Sequence, residues 1–250
     1  MNLILLFPED FADPERAVLT GRRLRHVAEV HRAGVGDELT VGVANGRIGR
    51  GLVTRLDAAA LELRVTLDRD PPPPLAITLV LALPRPKVVN RVIAGATSMG
   101  VGRLFLINAW RVEKSYWKSP RLSEENLLAQ CIVGLEQARD TRLPSIEVRR
   151  LFRPFVEEEL PRIIAGSRAL LAHPAASAPL PHSVPGPVTL VIGPEGGFID
   201  AELASLTAIG FEPVTLGERV LRTETAVAAA VAIIGARPPA PLAPRSDRGG

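Results

Sequence analysis

Four consecutive prolines, Pro71-Pro72-Pro73-Pro74, divide this chain more sharply than any other feature. A proline run offers no backbone N–H and holds each φ near −65°, so it fits neither a helix interior nor a central strand. It acts as a semi-rigid spacer, and the pattern differs on its two sides. Upstream, over residues 1–70, Asp37–Val43 (DELTVGV) is followed by Asn45-Gly46, Arg47–Leu56 and Leu61–Leu67. These read as strand, two-residue hairpin turn, strand and strand. A small β-barrel is predicted there.

Downstream, over 75–236, apolar runs at Ile77–Leu83, Leu104–Ile107, Ala169–Ala172, Val188–Ile192 and Val214–Leu216 read as strands. Helical stretches lie between them. Ser123 is placed to cap a helix through Ala138, and Asp200 to cap Ala201–Ile209, with Gly210 as its stop. Thr223 or Thr225 begins the alanine-rich segment Ala226–Gly235. Strands alternating with helices predict an α/β unit built on a largely parallel sheet. From Arg237 the chain (RPPAPLAPRSDRGG) has little to bury, and residues 237–250 are predicted to be a disordered tail.

Composition narrows the function classes. A single cysteine, Cys131, excludes an internal disulfide and reads as a buried small hydrophobe. Four scattered histidines supply no zinc framework, so no metal is expected. No apolar run approaches the roughly 18 residues of a membrane helix, and the start lacks a basic region before its short apolar stretch. A cytosolic protein without membrane partners is expected. The net charge is only +3, but its distribution is uneven. Between Arg85 and Arg121 eight basic residues face one acid, Glu113. Arg16, Arg22, Arg23, Arg25 and Arg32 form a second concentration, with His26 and His31 among them. Both clusters suit phosphate neutralisation, and an ordinary solvated surface explains either one taken alone. Lysine occurs only at 87, 114 and 118, a bias that a GC-rich coding sequence also explains.

The sharpest local signal is VTLVIGPEGGFID, Val188–Asp200. An apolar strand runs directly into Gly193-Pro194-Glu195-Gly196-Gly197, and a helix follows. Loops beyond the carboxyl ends of strands are where open α/β sheets bind ligands. The spacing matches neither phosphate-cradling glycine motif. PVTLGERVLRTETA (Pro213–Ala226) repeats the design, and LLAHP (Leu170–Pro174) is a third strand end meeting proline. Three such loops converging on one crevice suit an adenosine moiety.

IGPEGGF (Ile192–Phe198) together with LGERVLRTETA (Leu216–Ala226) resembles the RsmE family of 16S ribosomal RNA uridine-N3 methyltransferases, within the SPOUT superfamily. The resemblance extends over nearly the whole chain. It includes RRLRHVAEVHRAGVGDELTVG (Arg22–Gly42), Lys87, Ala96–Val101, Val112–Ser115 and Glu136–Arg139 before Leu143-Pro144. Two positions depart from the family pattern. ATSMG replaces a sequence close to A-T-E-L-G, losing a carboxylate at Ser98, and Arg111–Ser115 (RVEKS) stands where S-E-R-S is frequent.

The resemblance implies a trefoil-knotted α/β domain with a parallel sheet, preceded by a PUA-like RNA-binding barrel. It also implies a homodimer and S-adenosyl-L-methionine as cofactor. The cofactor-holding candidates it carries over are Leu171, His173, Pro174, Gly193, Pro194, Glu195, Gly196, Gly197, Leu216, Gly217, Arg219, Val220, Leu221, Thr225 and Ala226. The implied substrate is the 16S RNA of the small ribosomal subunit. Candidate RNA contacts are Arg22, Arg23, Arg25, His26, Arg32, Lys87, Arg91, Lys114, Ser115 and Arg139. For the chemistry, Arg222 is expected to stabilise the uracil oxygens. Glu224 is expected to orient it or take the N3 proton, with Glu195 as rival and a structural ion pair as the bland reading. Tyr116 and Trp117 are candidates to hold a displaced base, and Phe198 is assigned to packing. Two other functions stay open: a ribosomal RNA-binding factor that has lost catalysis, and a nucleotide-dependent enzyme using the glycine loop for phosphate.

Overall fold

A computed structural model of the chain describes residues 2–31 and 33–236, apart from the side chains of Arg22, His26, Val30 and His31. The predicted tail over 237–250, Arg32, and the side chains of Arg22 and His26 therefore lie outside the described residues.

The first sheet is built from β1 (Ile4–Leu6), β2 (Phe11–Asp13), β3 (Arg16–Leu19), β4 (Glu38–Val43), β5 (Ile48–Leu56) and β6 (Leu61–Arg69), with α1 (Gly21–His26) after β3. Its order is β1-β4-β5-β6-β3-β2, antiparallel except between β1 and β4. Alternation places Leu61, Leu63 and Val65 of β6 in a core with Val41, Val53, Ala17 and Leu19. The β4–β5 turn has three residues, not the predicted two: Val43 N–H bonds Arg47 O at 3.0 Å, and Asn45 lies at φ 57°. Its shape follows from what it docks on. Asn45 N–H donates to Thr141 O at 2.7 Å, Asn45 Oδ1 accepts Leu143 N–H at 3.0 Å, and Thr141 Oγ1 donates to Gly46 O at 2.5 Å.

The second sheet follows the prolines. Its members are β7 (Leu75–Ala82), β8 (Val101–Ile107), β9 (Ser145–Arg149), β10 (Arg168–Ala172), β11 (Val188–Ile192) and β12 (Glu212–Val214). The order is β12-β10-β11-β7-β8-β9, and every pairing is parallel. All five residues of β11 are buried, as a central strand covered on both faces requires. The last strand was expected at Val214–Leu216. It ends at Val214 because Thr215 leaves β10 to pair with the 178–180 segment, its N–H on Ala178 O and its carbonyl taking Leu180 N–H.

The helices are α2 (Pro86–Ser98), α3 (Glu124–Ala138), α4 (Phe152–Pro154), α5 (Leu160–Ile163), α6 (Asp200–Ala208) and α7 (Thr223–Gly235), with a π-helical turn at Phe155–Glu159. Ser123 Oγ accepts Asn126 N–H at 3.2 Å and caps α3 as predicted. Asp200 does not cap α6. It is the first helical residue, and Ile199 takes the cap position because Glu202 reaches back to its N–H at 3.1 Å. Helices α2 and α3 approach closely at Gly134, where a Cβ would lie 2.5 Å from Ala94 O. Among the described residues no helix is long and apolar enough to cross a membrane.

Candidate functional site

A cleft lies beyond the carboxyl ends of β10, β11 and β12. It is lined by His173, Pro174, Gly193, Pro194, Glu195, Gly197, Leu216, Gly217, Arg219, Val220, Leu221 and Ala226, and also by Ala172, Ile192, Phe198, Thr215 and Thr223. Three segments far apart in sequence thus share one hollow. Leu171 is fully buried within β10, and neither Gly196 nor Thr225 lines the walls. Ile192 and Thr215 were not picked out from the sequence as cofactor contacts, although each directly adjoins a chosen loop at a strand end.

Each loop is held by its own bonds. Gly197 N–H closes a turn onto Pro194 O at 2.7 Å, with Gly197 at φ 73°. Glu195 Oε1 accepts Arg85 N–H at 2.9 Å, tying this loop to the start of α2. Phe198 is buried, its ring against Gly193 and 6.1 Å from the Phe152 ring centre. Arg111 donates to Gly196 O from the other side. In the first loop His173 N–H bonds Val214 O at 2.9 Å, and its Nδ1 accepts Ala175 N–H at 3.3 Å. In the third, Thr215 Oγ1 takes Gly217 N–H at 3.2 Å.

The expected Arg222–Glu224 pair does not form. Glu224 Oε1 instead accepts Arg91 Nη2–H at 3.1 Å, joining α7 to α2. Arg222 is exposed at the cap position of α7, clear of the cleft walls. Among the proposed RNA contacts, Arg23 is engaged elsewhere. Its guanidinium forks onto buried Asp10 at 2.5 and 2.6 Å, a bidentate structural pair. Arg25, Lys87, Lys114, Ser115 and Arg139 are exposed, and Arg91 is the partner of Glu224.

Tyr116 and Trp117 are half-buried and pack against the core of the second sheet. Trp117 Nε1–H donates to Asn108 Oδ1 at 3.0 Å, and Arg150 lies over its ring at 5.8 Å. Burial, and then the 3.2 Å bond its hydroxyl donates to Glu113, push the Tyr116 phenol above its ordinary range. Cys131 is buried, and desolvation raises its thiol likewise, so it stays protonated near neutrality.

The cleft suits a ligand with an apolar body and a polar edge. Ile192, Leu216, Leu221 and Ala226 supply apolar wall, and the turns expose backbone donors and acceptors between them. Arg219 adds a cation with no ion-pair partner among the described residues. The glycine loop is poorly suited to phosphate. The helix that follows it carries Asp200 and Glu202 in its first turn, and Glu202 occupies the N–H at its cap.

Comparison with known proteins agrees with this geometry. A model of the RNA methyltransferase domain family matches residues 71–235. The chain is 31% identical over 228 residues to ribosomal RNA small subunit methyltransferase E of Mycobacterium bovis, covering 88% of this chain and 86% of that one. It is 29% identical over 245 residues to the Treponema pallidum protein of the same name, covering 94% and 90%. Among solved structures, a protein described as a methyltransferase of Legionella pneumophila, in complex with the cofactor SAM, superposes with a TM-score of 0.72 at 26% identity. That match covers 93% of this chain and 97% of that one. The ribosomal RNA small subunit methyltransferase E of Neisseria gonorrhoeae shares the fold with a TM-score of 0.73 at 23% identity, covering 93% and 95%. With three strand-end loops sharing one cleft and 31% identity to a relative over most of both chains, this chain belongs to the ribosomal RNA small subunit methyltransferase E family.

Proposed function

We propose that the protein transfers a methyl group from S-adenosyl-L-methionine to N3 of a uridine in the 16S RNA of the small ribosomal subunit, in the cytoplasm and as a homodimer. The observation that carries this is the meeting of Ala172–Pro174, Ile192–Phe198 and Thr215–Leu221 around one apolar, backbone-lined cleft. The named activity of the Mycobacterium and Treponema relatives supports the RNA substrate, and the cofactor held by the Legionella neighbour supports the donor. When bound, the sulfonium cofactor supplies an already activated methyl group.

The chain's own residues supply position and charge. Backbone groups of the three loops would hold the cofactor, with Leu216 and Leu221 as apolar wall and Arg219 as a cation among the lining residues. Uracil N3 becomes nucleophilic only as its proton leaves, so the site has to favour an anion on the base. Arg222, beside the third loop, is the cation for the uracil oxygens. Glu195 is better placed than Glu224 to take the proton. It lines the cleft with one oxygen engaged by Arg85 N–H, whereas Glu224 is occupied by Arg91.

The same reading divides the chain into a PUA-like barrel over 1–70, a spacer at 71–74 and a SPOUT domain over 75–236, with the last segment threaded as a trefoil knot. The loop between β10 and β11 supports the threading. It grips Thr215 through Ala178 and Leu180, then meets the end of α7 through Ser183, whose N–H bonds Ile233 O at 3.1 Å. Val220, 80% exposed on the rim of the cleft, is an apolar surface that a second subunit would cover.

Primer extension on small-subunit RNA treated with the protein and S-adenosylmethionine tests the reading, because an N3 methyl blocks Watson–Crick pairing and stops the copy. A new cofactor-dependent stop is expected. Tight RNA binding without one would select the non-catalytic binding factor.

A further inference from the structure

We propose that Trp110 is a stacking platform for an RNA base beside the glycine loop, an assignment that rests on the RNA methyltransferase reading above. Its indole is 78% exposed, whereas the second tryptophan is packed and bonded through its ring N–H. Exposure alone would mean little; the mounting carries the inference. Trp110 N–H donates at 2.7 Å to Glu202, a carboxylate only 6% exposed whose other oxygen holds Ile199 at the end of the glycine loop. On either side Ala109 and Val112 are buried, with Val112 N–H on Ala109 O at 3.0 Å. The next residue, Arg111, is bonded to Gly196 O. The groups that fix the cofactor loop thus also fix the backbone beneath the exposed indole. A flat aromatic surface on a rigid mount loses little conformational freedom when something stacks on it.

The surroundings choose the occupant. Further along the same segment Arg111, Lys114, Lys118 and Arg121 are exposed and form no ion pair among the described residues. The acid in their midst, Glu113, accepts bonds from Tyr116 and Ser115. An exposed aromatic in a segment rich in unpaired cations is a combination by which proteins hold unstacked bases and their phosphates. A second copy presenting the same segment would bring its like charges together, which disfavours a symmetric protein contact here. The aromatic role expected of Tyr116 and Trp117 therefore passes to Trp110, since both of those rings are half-buried against the core and Arg150 lies over the Trp117 face.

The test uses the full chain with Trp117→Phe, which leaves Trp110 as the one tryptophan. Titration with 16S RNA transcript is expected to quench its emission, and dilution without RNA to leave the emission unchanged. Trp110→Ala is expected to weaken RNA binding about 5- to 100-fold, with Trp110→Tyr recovering most of the loss and S-adenosylmethionine affinity unaltered. Emission that ignores RNA, emission that changes on dilution alone, or an alanine variant with wild-type RNA affinity would each overturn the platform. A wild type that leaves the RNA unmethylated counts against the methyltransferase reading instead, and the quenching titration still decides the role of Trp110.

Discussion

Substituting Gly197 by alanine isolates the backbone contribution to the cleft. Gly197 sits at φ 73°, its N–H closing the turn onto Pro194 O at 2.7 Å. An added Cβ would meet only Arg111 Nη1, at 3.8 Å, so crowding contributes nothing. What remains is the left-handed conformation, which costs an L-residue about 1–2 kcal/mol. If the loop keeps its shape the strain appears as lost stability, about 2–4 °C in Tm per kcal/mol for a chain of this size. If the loop relaxes, the strain returns when ligand restores the turn, weakening S-adenosylmethionine binding by about 5- to 30-fold. Calorimetric unfolding and isothermal titration measured on the same preparation should therefore give losses that together come to about 1–2 kcal/mol. Gly197→Asn should recover at least half, because asparagine visits this region far more readily than alanine. The reasoning fails if the alanine variant keeps both its Tm and its cofactor affinity, or if asparagine is no better than alanine in either measurement.

Gly134→Ala should cost about 1–3 kcal/mol in urea unfolding, since its Cβ would press on Ala94 O and on Thr97 across the α2–α3 contact; an unchanged midpoint would mean the helices part freely there. Arg222→Ala should lower kcat more than tenfold while cofactor affinity stays within about twofold, as expected of a cation acting on the developing anion rather than on the ground state; matched losses would make it a binding residue. Glu147 is pushed up by burial but more strongly down by bonds from Arg103 and Arg149, so its carboxyl lies below the ordinary range in the folded protein. A depressed folded value gives stability that is present above the unfolded pKa and lost as pH falls through the folded one. Glu147→Gln should accordingly be less stable than wild type near pH 7, with the gap closing below about pH 4; a gap that persists at pH 3 would assign the loss to packing.

The second sheet was legible wherever burial writes a continuous apolar run, and β11 was found to the residue for that reason. Helix α2 was missed although Val89, Val92, Ile93 and Ala96 recur at helical spacing and become its buried face. The loops of the cleft were legible because a strand meeting glycine or proline has to stop, and their neighbours Thr215 and Ile192 were not, lacking any such mark. Ion pairs were the least legible part. Glu224 stands two residues from Arg222, yet it pairs with Arg91, 133 positions away, because the packing of α7 on α2 chooses the partner. Arg23, one member of a cationic string, is claimed by Asp10 for the same reason. Nor does spacing tell which of two nearby tryptophans faces solvent: Asn108 and Glu202 decide that from other elements.

The hairpin turn at 44–46 changes what the tetraproline run means. A proline spacer between two folded bodies suggests a swinging joint, but Asn45 and Gly46 are clasped by Thr141 and Leu143, and Glu136 reaches Leu5 N–H at 3.3 Å. Leu3, Leu5 and Ile48 close a small apolar seam with Leu135 across the same junction. The two bodies are therefore braced like the fixed jaws of a gauge, and on the proposed function an RNA that touched both would be measured against one span rather than followed by a moving arm.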